Sequence, residues 1–394
     1  MSEPRTTSTV NTGRSRLSIV FIGLLGLLGM VYLLWPREPA VRSGALTEVA
    51  GEAVDGLRWE ARSVEGRALV LGPTMGTTFT VVVAGRDADG EAVELPSDEA
   101  MAGLAEAIYA ELEAVNDEMS TYRPESELSR FNRAGKGQAI AASAHLVEVM
   151  ALAKAVSADS GGAFDVTVGP LVDAWGFGSK SDPSARRSLS ADDLSVLDRL
   201  VGDEKLIVDV ETQTLEKTVD ELRVDLSAIA KGHGCDRVAA VLEAEGFRHY
   251  MVEVGGEVRA RGRNHQDEPW RVGIERPTAD AAGTRAVQSI LPVTDAGVAT
   301  SGDYRNYWEK DGVRYSHTID PRTGRPITHR LASVTVVHAQ SAAAADAWAT
   351  ALNVLGPKEG LALATREGLA AYFLIRTAEG FEAQSTPAYQ ELNP

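Results

Sequence analysis

The chain has 394 residues, 44% hydrophobic and 24% charged, the balance of an ordinary globular protein of one large domain or a few small ones. Its formal net charge of −17 excludes a broad electrostatic grip on nucleic acid. The single cysteine, Cys235, excludes an internal disulfide.

Residues 1–16 are polar and carry Arg5, Arg14 and Arg16, and read as a cytoplasmic N-terminus. Residues 17–35, LSIVFIGLLGLLGMVYLLW, are uncharged and about long enough to cross a bilayer core as a helix. Tyr32 and Trp35 stand where amphipathic rings prefer the lipid–water boundary. Two readings fit, an uncleaved anchor and a cleaved signal peptide. The length of the run and the lack of a small-x-small site after it favour the anchor. No cysteine lies nearby to carry a lipid. The basic flank predicts an N-in topology, single-pass in the inner membrane, with the rest on the periplasmic face. Pro36 ends the helix, and residues 36–67 read as a tether.

From residue 68 to 394 the pattern is that of one globular domain. Ala68 to Leu71 and Thr77 to Val83 read as strands around a Gly-Pro-Thr-Met-Gly turn. Ser97 to Met119 reads as a helix opened by a serine cap, and Ala144 to Ser160 as one stopped by Gly161-Gly162. Leu206 to Val210, Thr214 to Lys217 and Arg223 to Asp225 suggest short strands, and Ser227 to Gly246 a helix. Strands follow over Tyr250 to Val254, Trp270 to Ile274, Leu291 to Val298, Arg314 to His317 and Ala332 to Val337. A helix over Ala342 to Leu355 and a strand over Ala370 to Ile375 close the pattern. Strands outnumber helices without alternating with them, which argues for an α+β fold.

Four clusters carry candidate chemistry, each with a plainer account. Asp225 precedes a small-residue helix start with Lys231-Gly232 in its first turns. Free N–H groups and a lysine there suit an anion, and an ordinary capped helix explains the same residues. Asp346 and Thr350, four apart on a small-residue helix, share a face and suit a hard cation; a buried hydrogen-bonded Asp is the other account. His317 opens the turn-rich run Asp320-Pro-Arg-Thr-Gly-Arg-Pro326; it is a candidate base or a structural histidine. Gly161 to Gly169 and Trp175 to Gly178 set aromatics among glycines, where they hold a flat ring or fill a core.

Read in order, these segments resemble the ApbE family of FAD:protein FMN transferases. The resemblance runs through Thr74-Met75-Gly76-Thr77, residues 119–132, 161–169, 175–178, 224–232, 253–256 and 299–304, the His317 loop and the Asp346 helix. It implies a single ApbE-like domain that moves FMN from FAD, with magnesium, onto a threonine or serine hydroxyl of an acceptor protein, releasing AMP. It implies FAD contacts at Met75, Tyr122, Ala163, Phe164, Asp165, Asp225, Lys231 and Ile319. It implies magnesium ligands at the Ala228 carbonyl, Asp346 and Thr350, and help from His317 in deprotonating the acceptor. The implied acceptor is a membrane redox subunit with an Asp-Ser/Thr-Gly-Ala-Thr-type target. Ala349 departs from the family, where an Asp or Ser is common, and His233 and Cys235 replace an aromatic and a small apolar residue. Two other readings stay open, a magnesium-dependent FAD pyrophosphatase that uses water and a non-catalytic, membrane-held flavin carrier.

Overall fold

Residues 47–392 of the computed structural model are described here, except 53–57, 65, 179–180, 182–183, 185, 278–285, 304–305 and 311. The apolar run 17–35 lies outside them, and among the described residues no helix is long and apolar enough to cross a membrane.

Four strands open the chain: β1 (Thr47–Glu52), β2 (Arg58–Val64), β3 (Arg67–Thr74) and β4 (Thr77–Ala84). The first two correct the expected tether, since β1 pairs on β2 and β2 on β3, all antiparallel. Their short, mixed-polarity sequences carry little pattern, so pairing, of β2 on β3 and of β1 on β2, accounts for them. Helix α1 (Asp98–Met119) starts where Ser97 Oγ accepts the Ala100 N–H. Then come α2 (Glu127–Arg133), β5 (Ile140–Ala141), α3 (Ala144–Asp159), α4 (Gly169–Ala174) and α5 (Ala191–Asp198). Strands β6 (Leu206–Asp209) and β7 (Thr214–Lys217) join β5 in a small side sheet. The strand expected over Arg223 to Asp225 is only an isolated bridge between Val168 and Arg223.

Helix α6 (Ala230–Ala244) leads to β8 (Tyr250–Val254), β9 (Glu257–Arg261), β10 (Trp270–Glu275) and β11 (Val287–Val293). The helix begins three residues later than expected. β12 (Ala296–Gly302) is separate from β11, because Asp295, at φ 50°, turns the chain from one sheet into another. After it come β13 (Tyr307–Lys310), β14 (Val313–Ser316), β15 (Ile319–Asp320), β16 (Arg325–Pro326) and β17 (Leu331–His338). The last elements are α7 (Ala342–Arg366), kinked at Gly356-Pro357, β18 (Ala370–Thr377), β19 (Gly380–Ser385) and α8 (Pro387–Leu392).

The main sheet has ten strands in the order β1-β2-β3-β4-β8-β9-β12-β17-β18-β19. Side chains alternate across it, as strand geometry requires. Phe79, Val81 and Val83 of β4 and Tyr250, Val252 and Val254 of β8 pack under the helices with Ile108, Leu112 and Val238. Val82, Ala84, Val258 and Ala260 point the other way, onto Trp270, Ile274 and Leu291 of the β10–β11 pair. The result is an α+β layering, with α1, α6 and α7 on one face.

Backbone clearance fixes the helix layer. A Cβ on Gly232 of α6 would sit 2.3 Å from the Ala342 carbonyl oxygen, and one on Gly297 of β12 would sit 2.5 Å from the Ala342 nitrogen. Gly103, by contrast, lies exposed in α1 with nothing within 4 Å of such a Cβ. Gly232→Ala is expected to destabilise the protein by about 1–3 kcal/mol through overpacking, whereas Gly103→Ala should stabilise it by about 0.5–1 kcal/mol through helix propensity. Chemical denaturation of the two variants checks the contrast.

Candidate functional site

The first part of the site is the approach to α6. Asn132 brackets Val224, its Nδ2 donating to the Val224 carbonyl at 2.9 Å and its Oδ1 accepting the Val224 N–H at 2.8 Å. The buried Lys217 ammonium braces Asn132 from behind, bonding its carbonyl and that of Leu222 at 2.9 and 3.0 Å. Asp225 is thereby placed at a tight turn, where Oδ1 accepts from the Ser227 N–H and hydroxyl at 2.8 and 2.5 Å. One turn on, α6 begins and delivers Lys231.

The second part is the start of α7. Asp236 accepts from Ser341 Oγ, the Ala342 N–H and the Ala343 N–H at 2.8, 2.9 and 3.0 Å. A carboxylate at a helix N-terminus satisfies otherwise orphaned donors and meets the positive end of the helix dipole. Burial raises the Asp236 carboxyl above its ordinary range, and these three donors oppose the rise. Asp346 follows one turn later, buried, with Oδ2 accepting the Gly232 N–H at 3.3 Å.

At the crossing stands a charge cluster. Lys231 Nζ lies 2.7 Å from Glu257 Oε1 and 3.9 Å from Asp346 Oδ2. Burial raises the Asp346 carboxyl, with Lys231 and the Gly232 N–H pulling it back. Burial likewise pushes Glu257 up to about 8, against the pull of Lys231 and with the repulsion of Asp346. Desolvation disfavours the Lys231 charge, but Asp346 and Glu257 outweigh it and hold the ammonium protonated. Glu257 Oε2 is buried without a hydrogen-bond partner. Among the described residues, no three or more His, Cys, Asp or Glu side chains gather as a ready metal cage. Two buried carboxyl groups beside one ammonium nonetheless gather hard oxygen donors, and a divalent cation there would favour the ionised form of both.

Lys231 also borders a cleft of about 800 Å³, lined among others by Met75, Asn116, Tyr122, Arg123 and Ser227. Met75 holds φ 47° at the β3–β4 turn, and Tyr122 is 73% exposed on the rim. Both line the cleft together with Lys231. Tyr122 and Asp225 also line a side pocket of about 200 Å³ with Arg133 and Arg223.

His317 enters from a different unit. Trp308 and Tyr315 of the β13–β14 hairpin stack at 4.0 Å, and Trp175 stacks on Tyr315 at 5.6 Å. The Trp308 indole N–H donates to the Trp175 carbonyl at 3.0 Å, and the Trp175 indole N–H to the Gly324 carbonyl at 2.8 Å. This stack fastens three loops around His317. His317 Nδ1 is 2.9 Å from the Asn306 carbonyl oxygen. A carbonyl can only accept, so Nδ1 carries the proton and Nε2 keeps the lone pair in the neutral ring. Burial lowers the His317 pKa, and the Lys231 charge adds to that lowering while Asp303 opposes it. The imidazole is therefore neutral at pH 7 and within the electrostatic reach of the charge cluster.

Some expected contacts do not reach the cleft. Ala163 and Phe164 are buried, Phe164 in the main core. Asp165 Oδ1 is spent on the Thr167 N–H and hydroxyl at 2.8 and 2.6 Å. Ile319 packs with Leu171, Trp175 and Trp308. Their side chains point into the protein, and the backbone of this stretch meets Asp225, whose N–H donates to the Val166 carbonyl at 2.8 Å. Ala228 is half-buried beside the main core, and Thr350 lies one turn beyond Asp346. Ala349 and Cys235 are fully buried, and the Cys235 thiol, raised by burial, donates to the Glu257 carbonyl at 3.2 Å. Glu257 and Asp236 were missed. Glu257 had a faint signal, being the first of three charged residues at alternate positions, Glu257, Arg259 and Arg261, in an otherwise apolar strand.

Glu257 titrates at 4.5 unperturbed and at about 8 in the fold. The folded state thus holds this proton more tightly, so the associated stability is complete below 4.5 and lost as pH rises through about 8. In metal-free buffer the wild-type melting temperature is expected to fall across that window relative to Glu257→Gln, which has no proton to lose. Parallel melting-temperature curves for the two proteins would contradict the assignment.

A profile described as the ApbE family matches residues 75–373. A protein of Vibrio cholerae named FAD:protein FMN transferase is 43% identical over 319 residues, covering 81% of this chain and 90% of the relative. One of Haemophilus influenzae with the same name is 42% identical over 324 residues, covering 82% and 90%. The solved flavin transferase ApbE from Vibrio cholerae superposes with a TM-score of 0.72 at 39% identity, covering 83% of this chain and 99% of that one. With the matched segment spanning the helix crossing, the cleft and the His317 loop, the chain belongs to the ApbE family.

Proposed function

We propose that the chain is a FAD:protein FMN transferase that binds FAD along the cleft beside Met75, Tyr122 and Lys231 and passes FMN to a serine or threonine hydroxyl of an acceptor protein, releasing AMP. The enzyme class follows from family membership and from relatives named for that reaction. The observation that carries the rest is the buried Asp346–Glu257 pair with Lys231 at the edge of an ≈ 800 Å³ cleft.

Each group has a part. Lys231 meets the pyrophosphate as a point charge. Met75 and Tyr122 hold the flat portions of the ligand at the cleft wall. Asp346 and Thr350 on α7 and the Ala228 carbonyl in the turn before α6 are hard oxygen donors, and they would hold magnesium, which would neutralise charge on the diphosphate and on the departing AMP. His317, neutral and with Nε2 free to accept, takes the proton of the acceptor hydroxyl. The run 17–35 supports an inner-membrane anchor that puts this domain on the periplasmic face, near a membrane redox subunit as acceptor.

His317→Ala is expected to slow flavinylation by about 10²–10⁴-fold without abolishing it. Asp346→Ala is expected to cost more, because metal placement and charge neutralisation go together. The assay is covalent flavin fluorescence on a threonine-bearing acceptor incubated with FAD and Mg²⁺, with AMP measured in parallel. AMP release without flavinylation of any acceptor would assign the chain to hydrolysis. Near wild-type transfer by Asp346→Ala would remove the metal site.

A further inference from the structure

We propose that Lys231 and a divalent cation compete for the same two carboxylates, Asp346 and Glu257, and that the diphosphate of FAD settles the competition by drawing the lysine into the cleft. The identity of the cleft's ligand rests on the transferase reading above; the competition rests on geometry. The ammonium is 2.7 Å from Glu257 Oε1 and 3.9 Å from Asp346 Oδ2, so it holds by charge the neighbouring Glu257 and Asp346, the latter one of the donors that would hold the metal. Glu257 Oε2 is buried and has no hydrogen-bond partner, so one lysine leaves the carboxylates only partly answered. Two like cations cannot share such a space in a low-dielectric interior.

The lysine has somewhere to go, since it lines the large cleft. Its stem passes beneath the β8–β9 turn, where a Cβ on Gly255, at φ 61°, would sit 3.0 Å from Lys231 Cδ and 2.8 Å from Thr77 Cγ2. The stem is thereby confined while the ammonium can swing between carboxylates and cleft. Displaced by the metal, it presents its charge to an anion. Bound by the anion, it vacates the carboxylates. Metal and FAD then assist each other, and the coupling is reciprocal.

The full chain is titrated with Mn²⁺, following the EPR signal of the free ion, with and without FAD. In the wild type, FAD is expected to tighten Mn²⁺ binding by about tenfold or more. Lys231→Met is expected to tighten it by about tenfold with no FAD present, one competing charge having been removed, and to lose the effect of FAD. Glu257→Gln should weaken it. Equal or weaker Mn²⁺ binding by Lys231→Met overturns the competition. That variant buries two carboxylates without a lysine and can fail to fold, so the wild type supplies a second measure. Acetylation of Lys231 by acetic anhydride, followed by mass spectrometry, should quicken about tenfold when Mn²⁺ is added, because the released amine loses its carboxylate partners. An unchanged rate also overturns the proposal. Asp346→Asn separates the two readings. If it still binds Mn²⁺ tightly, the metal site itself fails; if it loses Mn²⁺ while Lys231→Met binds like the wild type, only the competition fails.

Discussion

The site depends on one contact, the backbone-to-backbone crossing of α6 and α7 at Gly232. With no Cβ there, the first turn of α6 lies against the Ala342 carbonyl, and Gly297 admits the same helix start from the sheet side. The closeness lets a main-chain N–H of one helix reach a carboxylate of the other, Gly232 to Asp346 at 3.3 Å. Such a crossing leaves no space for water, so the polar groups at the start of α7 must find protein partners. Asp236 supplies them with three hydrogen bonds. Remove any of these elements and Lys231, Asp346 and Glu257 no longer converge.

The His317 unit is built on other terms. His317 sits on a hairpin held by stacked rings and indole hydrogen bonds, away from the crossing. Arg376 and Arg314 both bond Asp303, three residues before the Asn306 carbonyl that fixes the His317 tautomer. The two halves are tied at Asn353 of α7, seven residues past Asp346, whose Nδ2 lies 3.2 Å from Ser301 Oγ and 3.3 Å from Thr318 Oγ1. In the proposed reaction, charge neutralisation would thus fall to a rigid helix pair and proton removal to a loop unit pinned to it. That division fits a reaction in which the nucleotide is bound deep and the acceptor hydroxyl arrives from outside.

Much of this was legible in the sequence, and the failures have physical causes. The capped helices α1 and α3 and the apolar strands β4, β8 and β17 announce themselves by period and punctuation. Asp346 and Thr350 stand out as a carboxylate and a hydroxyl four apart in a run of alanines, and the buried Asp346, hydrogen-bonded to the Gly232 N–H, matches the plainer account of them. Strands β1 and β2 were not legible, since their partner strand, not their own pattern, specifies them. At Phe164 and Asp165 the side chains turn inward while the backbone just beyond them bonds Asp225, a distinction no linear motif carries. Glu257 and Asp236 escaped because their meaning lies in non-local partners, Lys231 and Asp346 for one and the start of α7 for the other.

The −17 formal charge sharpens the case for a cation. A diphosphate entering an acidic protein needs local positive charge to overcome the field around it. The charged residues that line the cleft are Glu113, Arg123 and Lys231. Arg123 is already engaged, at 2.7 Å from Glu113 and 2.6 Å from Asp117, and Lys231 is engaged by Glu257. As the side chains stand, the cleft therefore offers an anion little unspent charge. Two additional positive charges on the Asp346 side would reverse that balance and free the lysine as well. In the proposed reaction a metal would thus matter for charge supply at binding as much as for chemistry at the phosphorus.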